Sequence, residues 1–278
     1  MLFCKNKNFC DINPLCFAIS EKKEIVKRHF KNILSDQNMA KEMKEIKLPN
    51  LISSNLCPLI KKGKDIDPVL QENKVVNIEI ACRTINGIII HPNEVFSFWR
   101  TVGKITKKKG YKDGRVLVQN KLKPGIGGGL CNLGNTINRL VLHSPLEILE
   151  FHTHSDALSP DHGQRIPLNA GTSVSYNYID YRFRNNTNQD IQLCVWCENK
   201  YLYGELRSET SFPWTYELVE ENHHFQKEGD KYYRVSQIYR LTREKSTEKI
   251  IKKELILNNH SMVMYDPNLI PKGQIYLK

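Results

Sequence analysis

No stretch of the chain reaches the ~18 consecutive apolar residues that a membrane-spanning helix needs. The opening Met1-Leu2-Phe3-Cys4-Lys5-Asn6-Lys7 has neither the continuous apolar segment nor the small-residue cleavage site of a secretory leader. The expectation is a cytoplasmic protein without a transmembrane segment. Recognition-helix patterning, RNP-type strands and zinc-finger spacing are also missing, which leaves no specific nucleic-acid signature. No internal repeat or low-complexity tract stands out, which argues against solenoids and tails. Cys194 and Cys197 have no second Cys-x-x-Cys to complete a four-cysteine zinc site. On a strand, residues three apart face opposite sides, so this pair reads as sheet packing.

Acidic residues are the minority: Lys+Arg 41 against Asp+Glu 30 gives a net charge of +11. A basic surface favours anionic partners such as nucleic acid, teichoic-type polymers, lipid headgroups or acidic substrates, without choosing among them. The clusters Lys61–Lys64 and Lys107–Lys109 read as solvated surface. With 278 residues, 40% of them hydrophobic, the chain can bury a core without disulfides or metals. Its 8 cysteines, at 4, 10, 16, 57, 82, 131, 194 and 197, are expected to be mostly free thiols, several of them plain packing. Nothing in the pattern sets an oligomeric state.

Three stretches follow from the patterning. Residues 1–66 read as a basic, partly helical N-terminal segment. Ser20 is its expected N-cap, Ile25, Phe30 and Ile33 share a stripe, and irregular linker covers Leu48–Ser54 and Lys61–Lys64. Residues 67–209 form the dense α+β domain. Asp67-Pro68 opens a helix that Asn86-Gly87 stops. Glu94–Trp99 alternates like a strand, and Arg115–Gln119 with Lys121–Pro124 resembles a hairpin turning at Asn120-Lys121. Thr136–His143 is helical and ends at Ser144-Pro145. Strand-like runs cover Leu146–His154, Ser173–Arg184, Ile191–Glu198 and Tyr201–Arg207, with a hairpin-like connection at Asn185–Asn188. Residues 210–278 form a β-rich extension in which Lys231–Arg243 pairs with Glu248–Leu257. The fold class is α+β, mainly antiparallel sheet with a few helices and a helical lead-in. Aromatic runs through Phe96, Phe98, Trp99, Tyr176, Tyr178, Tyr181 and Phe183 read as sheet packing.

The densest chemical signal is Pro124-Gly125-Ile126-Gly127-Gly128-Gly129-Leu130-Cys131-Asn132. Consecutive glycines permit positive φ and close backbone approach. A helix opening near Cys131 points free amides at its sulfur, which favours a thiolate. The amides of Gly127, Gly128 and Gly129, with the Asn132 side chain, can equally hold an oxyanion or an anionic or peptide-like ligand. The turn lacks the Walker Lys-Ser/Thr ending, so phosphate binding ranks low. Downstream, Phe151-His152-Thr153-His154-Ser155-Asp156 puts His152 and His154 on one strand face. One of them is a candidate base for Cys131, with Asp180 or Asp156 to hold its tautomer. The same pair, with Cys131, Asp156 or His162, suits a zinc or iron site. The structural alternative is a packing cysteine beside satisfied histidines.

Glu94-Val95-Phe96-Ser97-Phe98, Val102-Gly103, Gly110-Tyr111, the Pro124–Cys131 block, His154-Ser155 and Asp180–Thr187 occur in the order of the VanW family signature, which the chain resembles over roughly Asn93 to Glu198. His162–Arg165, Phe212-Pro213-Trp214 and His260 to Pro271 continue the resemblance more loosely. The resemblance implies a part in vancomycin resistance and a cell-wall-related ligand. Many members carry Gln after the motif cysteine and Asp shortly before the later strand. Here Asn132 and Gly171 stand there, leaving Asp180 as the acidic candidate. Cysteine, histidine, then aspartate is also the order of papain-like and transglutaminase-like enzymes, an analogy of order alone. Three readings therefore stand. The first is a cysteine-dependent acyl transferase or amidase using Cys131, His154 and Asp180. The second is a non-catalytic ligand- or peptidoglycan-binding module. The third is a metal site on His152 and His154, the one cofactor in view.

Overall fold

The computed structural model describes residues 9–61, 63, 66–118, 121–161, 165–168 and 171–277. Among the described residues, helices α1 (Pro14–Ile33), α2 (Pro68–Ile85), α3 (Phe98–Val102) and α4 (Leu130–Leu142) lie among thirteen strands. In chain order these are β1 (Asn50–Pro58), β2 (Ile88–Ile90), β3 (Val95–Ser97), β4 (Asp113–Val118), β5 (Lys121–Ile126), β6 (Glu147–Glu150) and β7 (Arg182–Arg184). They continue with β8 (Ile191–Glu198), β9 (Tyr201–Ser208), β10 (Trp214–Glu228), β11 (Lys231–Glu244), β12 (Ile250–Met262) and β13 (Ile275–Leu277). The class is α+β, and among the described residues every strand pairing is antiparallel except β10 with β13.

The local helix signals act where they were read. Asp67 accepts from the amides of Val69 and Leu70, Pro68 occupies the first turn, and α2 closes at Asn86. The lead-in helix begins earlier than Ser20. Asn13 caps it by accepting from Cys16 N, and Pro14 follows at its first position, a stronger start than a serine inside a helical run.

Longer-range pairing overturned other local readings. The Leu48–Ser54 "linker" is largely β1, which pairs with β9 across some 150 residues of sequence, Asn50 opposite Ser208. Its serines are accommodated because Ser53 Oγ donates to the Leu140 carbonyl at 2.9 Å. Trp99 lies in α3 and not in a strand, because the Ser97 hydroxyl accepts from Arg100 N and turns the chain. The strand-like run from Ser173 holds only β7 at its end, and Leu146–His154 is strand only as far as Glu150. Asn185–Asn188 is no hairpin: it joins β7 to β8, which belong to different sheets. The hairpin β4–β5 forms as expected, while its turn at Gln119 and Asn120 lies outside the described residues.

Among the described residues four sheets result, ordered β1-β9-β8-β2, β12-β11-β10-β13, β3-β7-β6 and β4-β5. The first carries α2 and α4 on one face. Leu133, Ile137, Leu140 and Val141 of α4 join Ile78, Ala81 and Ile85 of α2 over Leu193, Leu202 and Leu206 in the main core. The approach is close enough that a Cβ on Gly204 of β9 would sit 2.9 Å from Leu140 and Thr136 side-chain atoms. Removing hydrocarbon of this kind from water is the main force joining helices to sheet.

Candidate functional site

The glycine turn is filled by its own fold. A Cβ on Gly128 would stand 2.2 Å from the Gly114 carbonyl carbon, and one on Gly129 2.2 Å from Lys74 Cγ. Gly127 and Gly129 also hold φ of 76° and 104°, which only glycine adopts without strain. These glycines let the turn lie against β4 and α2. The turn's amides are largely committed as well. Gly127 N donates to Lys112 O at 3.0 Å, Gly128 N to Gly125 O at 3.1 Å and Asn132 N to Gly129 O at 2.9 Å. The buried amide of Asn77 clamps the turn, donating to Gly128 O at 2.9 Å and Lys112 O at 3.0 Å.

Cys131 does sit in the first turn of α4. Burial nonetheless pushes its thiol pKa up, outweighing the backbone groups of Val174 and Cys131 itself that pull the other way. The thiol donates to the Val174 carbonyl at 3.5 Å.

The two histidines lie on the segment that faces the Val174 loop. Thr153 pairs with Thr172, with His154 N donating to Gly171 O at 2.9 Å and Ser173 N to His152 O at 2.8 Å. Thr172 aims its hydroxyl at α4, bonding Asn135 at 3.0 Å. Side chains of paired extended segments alternate, so Thr153 shares the α4 side and His152 and His154 project from the other. His154 Nδ1 lies 3.1 Å from the Ser155 carbonyl, and burial lowers its pKa. His152 Nε2 lies 2.9 Å from Glu150. Asp180 is buried and accepts from Ser97 Oγ (2.6 Å), Trp99 N (3.0 Å), Tyr181 N (3.0 Å) and Arg182 Nε (2.7 Å). Asp156 pairs with Arg165 at 2.6 Å, and burial raises its carboxyl. His162 lies outside the described residues. Among the described residues, no group of three His, Cys, Asp or Glu gathers as a metal would require.

The Val174 loop leads somewhere more open. Cys131 holds the loop at Val174, Asn135 holds it at Thr172, and Gly134 leaves room for the Val174 side chain, 3.1 Å from where a Cβ would stand. Two residues beyond Val174, Tyr176 meets Trp99 edge to face with ring centroids 5.6 Å apart. These rings border a cleft of about 450 Å³ completed by Arg100, Asn177 and the C-terminal end of α1 with its following loop (His29, Asn32, Ile33, Ser35, Gln37). Trp99 Nε1 is fixed on the Ile179 carbonyl at 2.8 Å, and Asn177 Nδ2 bonds His29 at 3.2 Å. Arg100 forms no ion pair among the described residues. An aromatic corner, several amides and an open guanidinium suit a peptide-like ligand carrying a carboxylate.

Residues 73–207 match the family described as VanW like protein. This stretch belongs to the VanW family. Over 226 residues the chain is 29% identical to the vancomycin B-type resistance protein VanW of Enterococcus faecalis, covering 81% of this chain and 82% of that protein. It is 33% identical over 115 residues to the uncharacterized protein YoaR of Bacillus subtilis, covering 41% of this chain and 36% of that one. No solved structure matches the chain.

The VanW stretch holds Asn77, Trp99, Arg100, Cys131, Tyr176, Asn177 and Asp180. The α1 wall of the cleft lies outside it. Sequence reasoning missed Asn77, Arg100 and the cleft itself. The reading of Trp99 and Tyr176 as packing holds, since Trp99 lies in the main core, 3% exposed, and Tyr176 packs against it. That they also border a cleft depends on where α1 docks, which no signal local to either aromatic carries.

Proposed function

We propose that this VanW-family chain is a non-catalytic binding module that holds a peptide-like, carboxylate-bearing cell-wall fragment in the Trp99–Tyr176–Arg100 cleft and thereby contributes to glycopeptide resistance. The cleft is the observation that carries the reading. The motif cysteine then serves as a positioning residue. Its thiol anchors Val174, and so sets Tyr176 and Asn177. The resistance role is carried over from the name of the Enterococcus relative.

The test is binding of a muropeptide with a free carboxyl terminus, alongside vancomycin susceptibility of a host carrying the gene. Arg100→Gln and Tyr176→Ala should each weaken binding about tenfold or more, as loss of a charge-assisted hydrogen bond or an aromatic contact does. Cys131→Ser keeps a donor for Val174 and should retain binding and resistance. A folded Cys131→Ser variant that loses both would overturn the proposal.

Cysteine-dependent acyl transfer keeps one observation in its favour, the place of Cys131 in the first turn of α4. Its thiol pKa, raised by burial, opposes that reading. Peptide-resolved labelling with iodoacetamide near neutral pH separates the two. The binding reading expects Cys131 to react more slowly than in the denatured chain, and faster reaction would restore the enzyme.

A further inference from the structure

Helix α1 buries none of its residues. It is held to the rest of the molecule by polar bonds along one side. Arg28 forks onto Glu150, with Nη1 2.6 Å from Oε2, and also donates to Tyr178 O at 3.0 Å. Asn32 accepts from Arg182 at 2.6 Å. The opposite side is apolar. Leu15, Ile19, Val26, Phe30 and Ile33 recur at the three- and four-residue steps of one helical face, with Lys22 at the intervening step, and all of them are exposed, Phe30 by 62% and Ile33 by 77%. Lys22 and Lys23 flank that stripe on either side, and Lys27 stands beyond Lys23, paired with Glu24 at 2.7 Å. Glu21 and Glu24 lie on the far side of the helix from it.

We infer that α1 is a membrane-surface anchor that lays this stripe into the interface of an anionic lipid bilayer. A lysine-bordered apolar stripe matches what such an interface offers, hydrocarbon below and phosphate-bearing headgroups at its edge. The lysine stems run along apolar surface while their ammonium groups reach the headgroups. The net charge of +11 draws the whole molecule to the same surface. No helix among the described residues is long and apolar enough to cross a membrane, and a helix lying in the interface does not need to be. Charge decides against a second copy as the occupant. Two α1 helices meeting stripe to stripe would set Lys22 and Lys23 of one against those of the other, with the glutamates turned away. The cleft opens beside the same helix, since His29, Asn32 and Ile33 line it, so the anchor would hold that mouth near the headgroups.

The test is co-sedimentation of the full chain with vesicles of phosphatidylcholine alone and of phosphatidylcholine mixed equally with phosphatidylglycerol, at low ionic strength. The chain should partition onto the mixed vesicles and only weakly onto the neutral ones. Phe30→Gln leaves the charge unchanged and should lower that partitioning about tenfold. Lys22→Gln and Lys23→Gln should each lower it about fivefold. Both sites are exposed, and far-ultraviolet circular dichroism verifies the fold. A chain that stays in the supernatant with the mixed vesicles overturns the inference. So does binding that Phe30→Gln leaves unchanged, which would be bulk charge attraction alone. A vesicle-free, concentration-dependent dimer abolished by Phe30→Gln would assign the stripe to a second copy instead. None of these results depends on what occupies the cleft.

Discussion

Around α4 the interior is mainly hydrocarbon: Leu133, Ile137, Val141, Leu193, Val195, Leu202 and Leu206 are all fully withdrawn from solvent, with the uncharged Thr136 and Asn138 among them. Beneath the C-terminal sheet the interior is ionic. Arg165 bridges Asp156 at 2.6 Å and Glu220 at 2.7 Å, and Arg234, 1% exposed, reaches Asp161 at 2.9 Å and the Asp156 carbonyl at 2.9 Å. The apolar cluster there is small, centred on Leu142, Leu168 and Ile238. Hydrophobic burial is non-directional, so the α4 region specifies which surfaces meet more strongly than their angle. Buried ion pairs gain little net stability over hydrocarbon of the same shape, but they are directional. The C-terminal sheet is thus placed by the geometry of guanidinium forks. Burial acts to raise Glu220, yet its bonds to Arg165 and Ser236 outweigh that and hold its carboxyl below the usual range.

The largest expected effect comes from breaking the ionic side at its centre. Arg165→Met leaves Asp156 and Glu220 buried with their main cation gone. The loss of unfolding free energy should be about 4 kcal/mol, read from urea denaturation midpoints. Adding Glu220→Leu to that variant should recover part of the loss, because the stranded charge goes with it. If the double variant is no more stable than the single one, the cost lies in packing and the contrast drawn above dissolves.

The same contrast explains what was legible in the sequence. Asp67-Pro68 and Asn86-Gly87 bracket α2 because caps act within a turn of helix. Tyr201–Ser208 and Ile191–Glu198 were readable because their pairing is local. β1 was not, since nothing in Asn50–Pro58 announces a partner near residue 200. The chemical residues divide the same way. The glycine turn was found at once, but its purpose was not, because Gly114, Asn77 and Lys74, which it lies against, are brought there by tertiary packing. Asp180 was singled out as the acid that would orient a histidine. Its hydrogen bonds go instead to Ser97, Trp99 N and Arg182, at the start of α3 beside the cleft. The charges under the C-terminal sheet, spread from Asp156 to Arg234, could not be joined by any local pattern.

A somewhat smaller effect is expected on the apolar side. Leu133→Ala removes a fully buried side chain from the middle of the main core and should cost about 3 kcal/mol. Because no charge is stranded, no second-site substitution analogous to Glu220→Leu should recover it. A smaller apolar neighbour would only enlarge the cavity.

The smallest effect is of opposite sign and tests the apolar side where it breaks its own rule. Lys74 of α2 is 6% exposed, packs its stem against Gly129, and gives its ammonium to Gln71 Oε1 at 2.9 Å, with no carboxylate in contact among the described residues. Burial, with the nearby charges of Lys61 and Arg115, lowers its pKa to about 8. Below that pH the ammonium is charged both folded and unfolded, and the folded state bears the full desolvation cost. As pH rises above about 8 toward the ordinary lysine value, the folded chain gives up the proton while the unfolded chain still holds it, so stability rises. Lys74→Met keeps the stem over Gly129 and removes the charge, and should stabilise the protein by about 2 kcal/mol at neutral pH. Denaturation midpoints of the two proteins should then converge between about pH 8 and pH 10. A gap that stays constant across that range would mean that the substitution acts through packing, and that the ammonium is solvated where it stands.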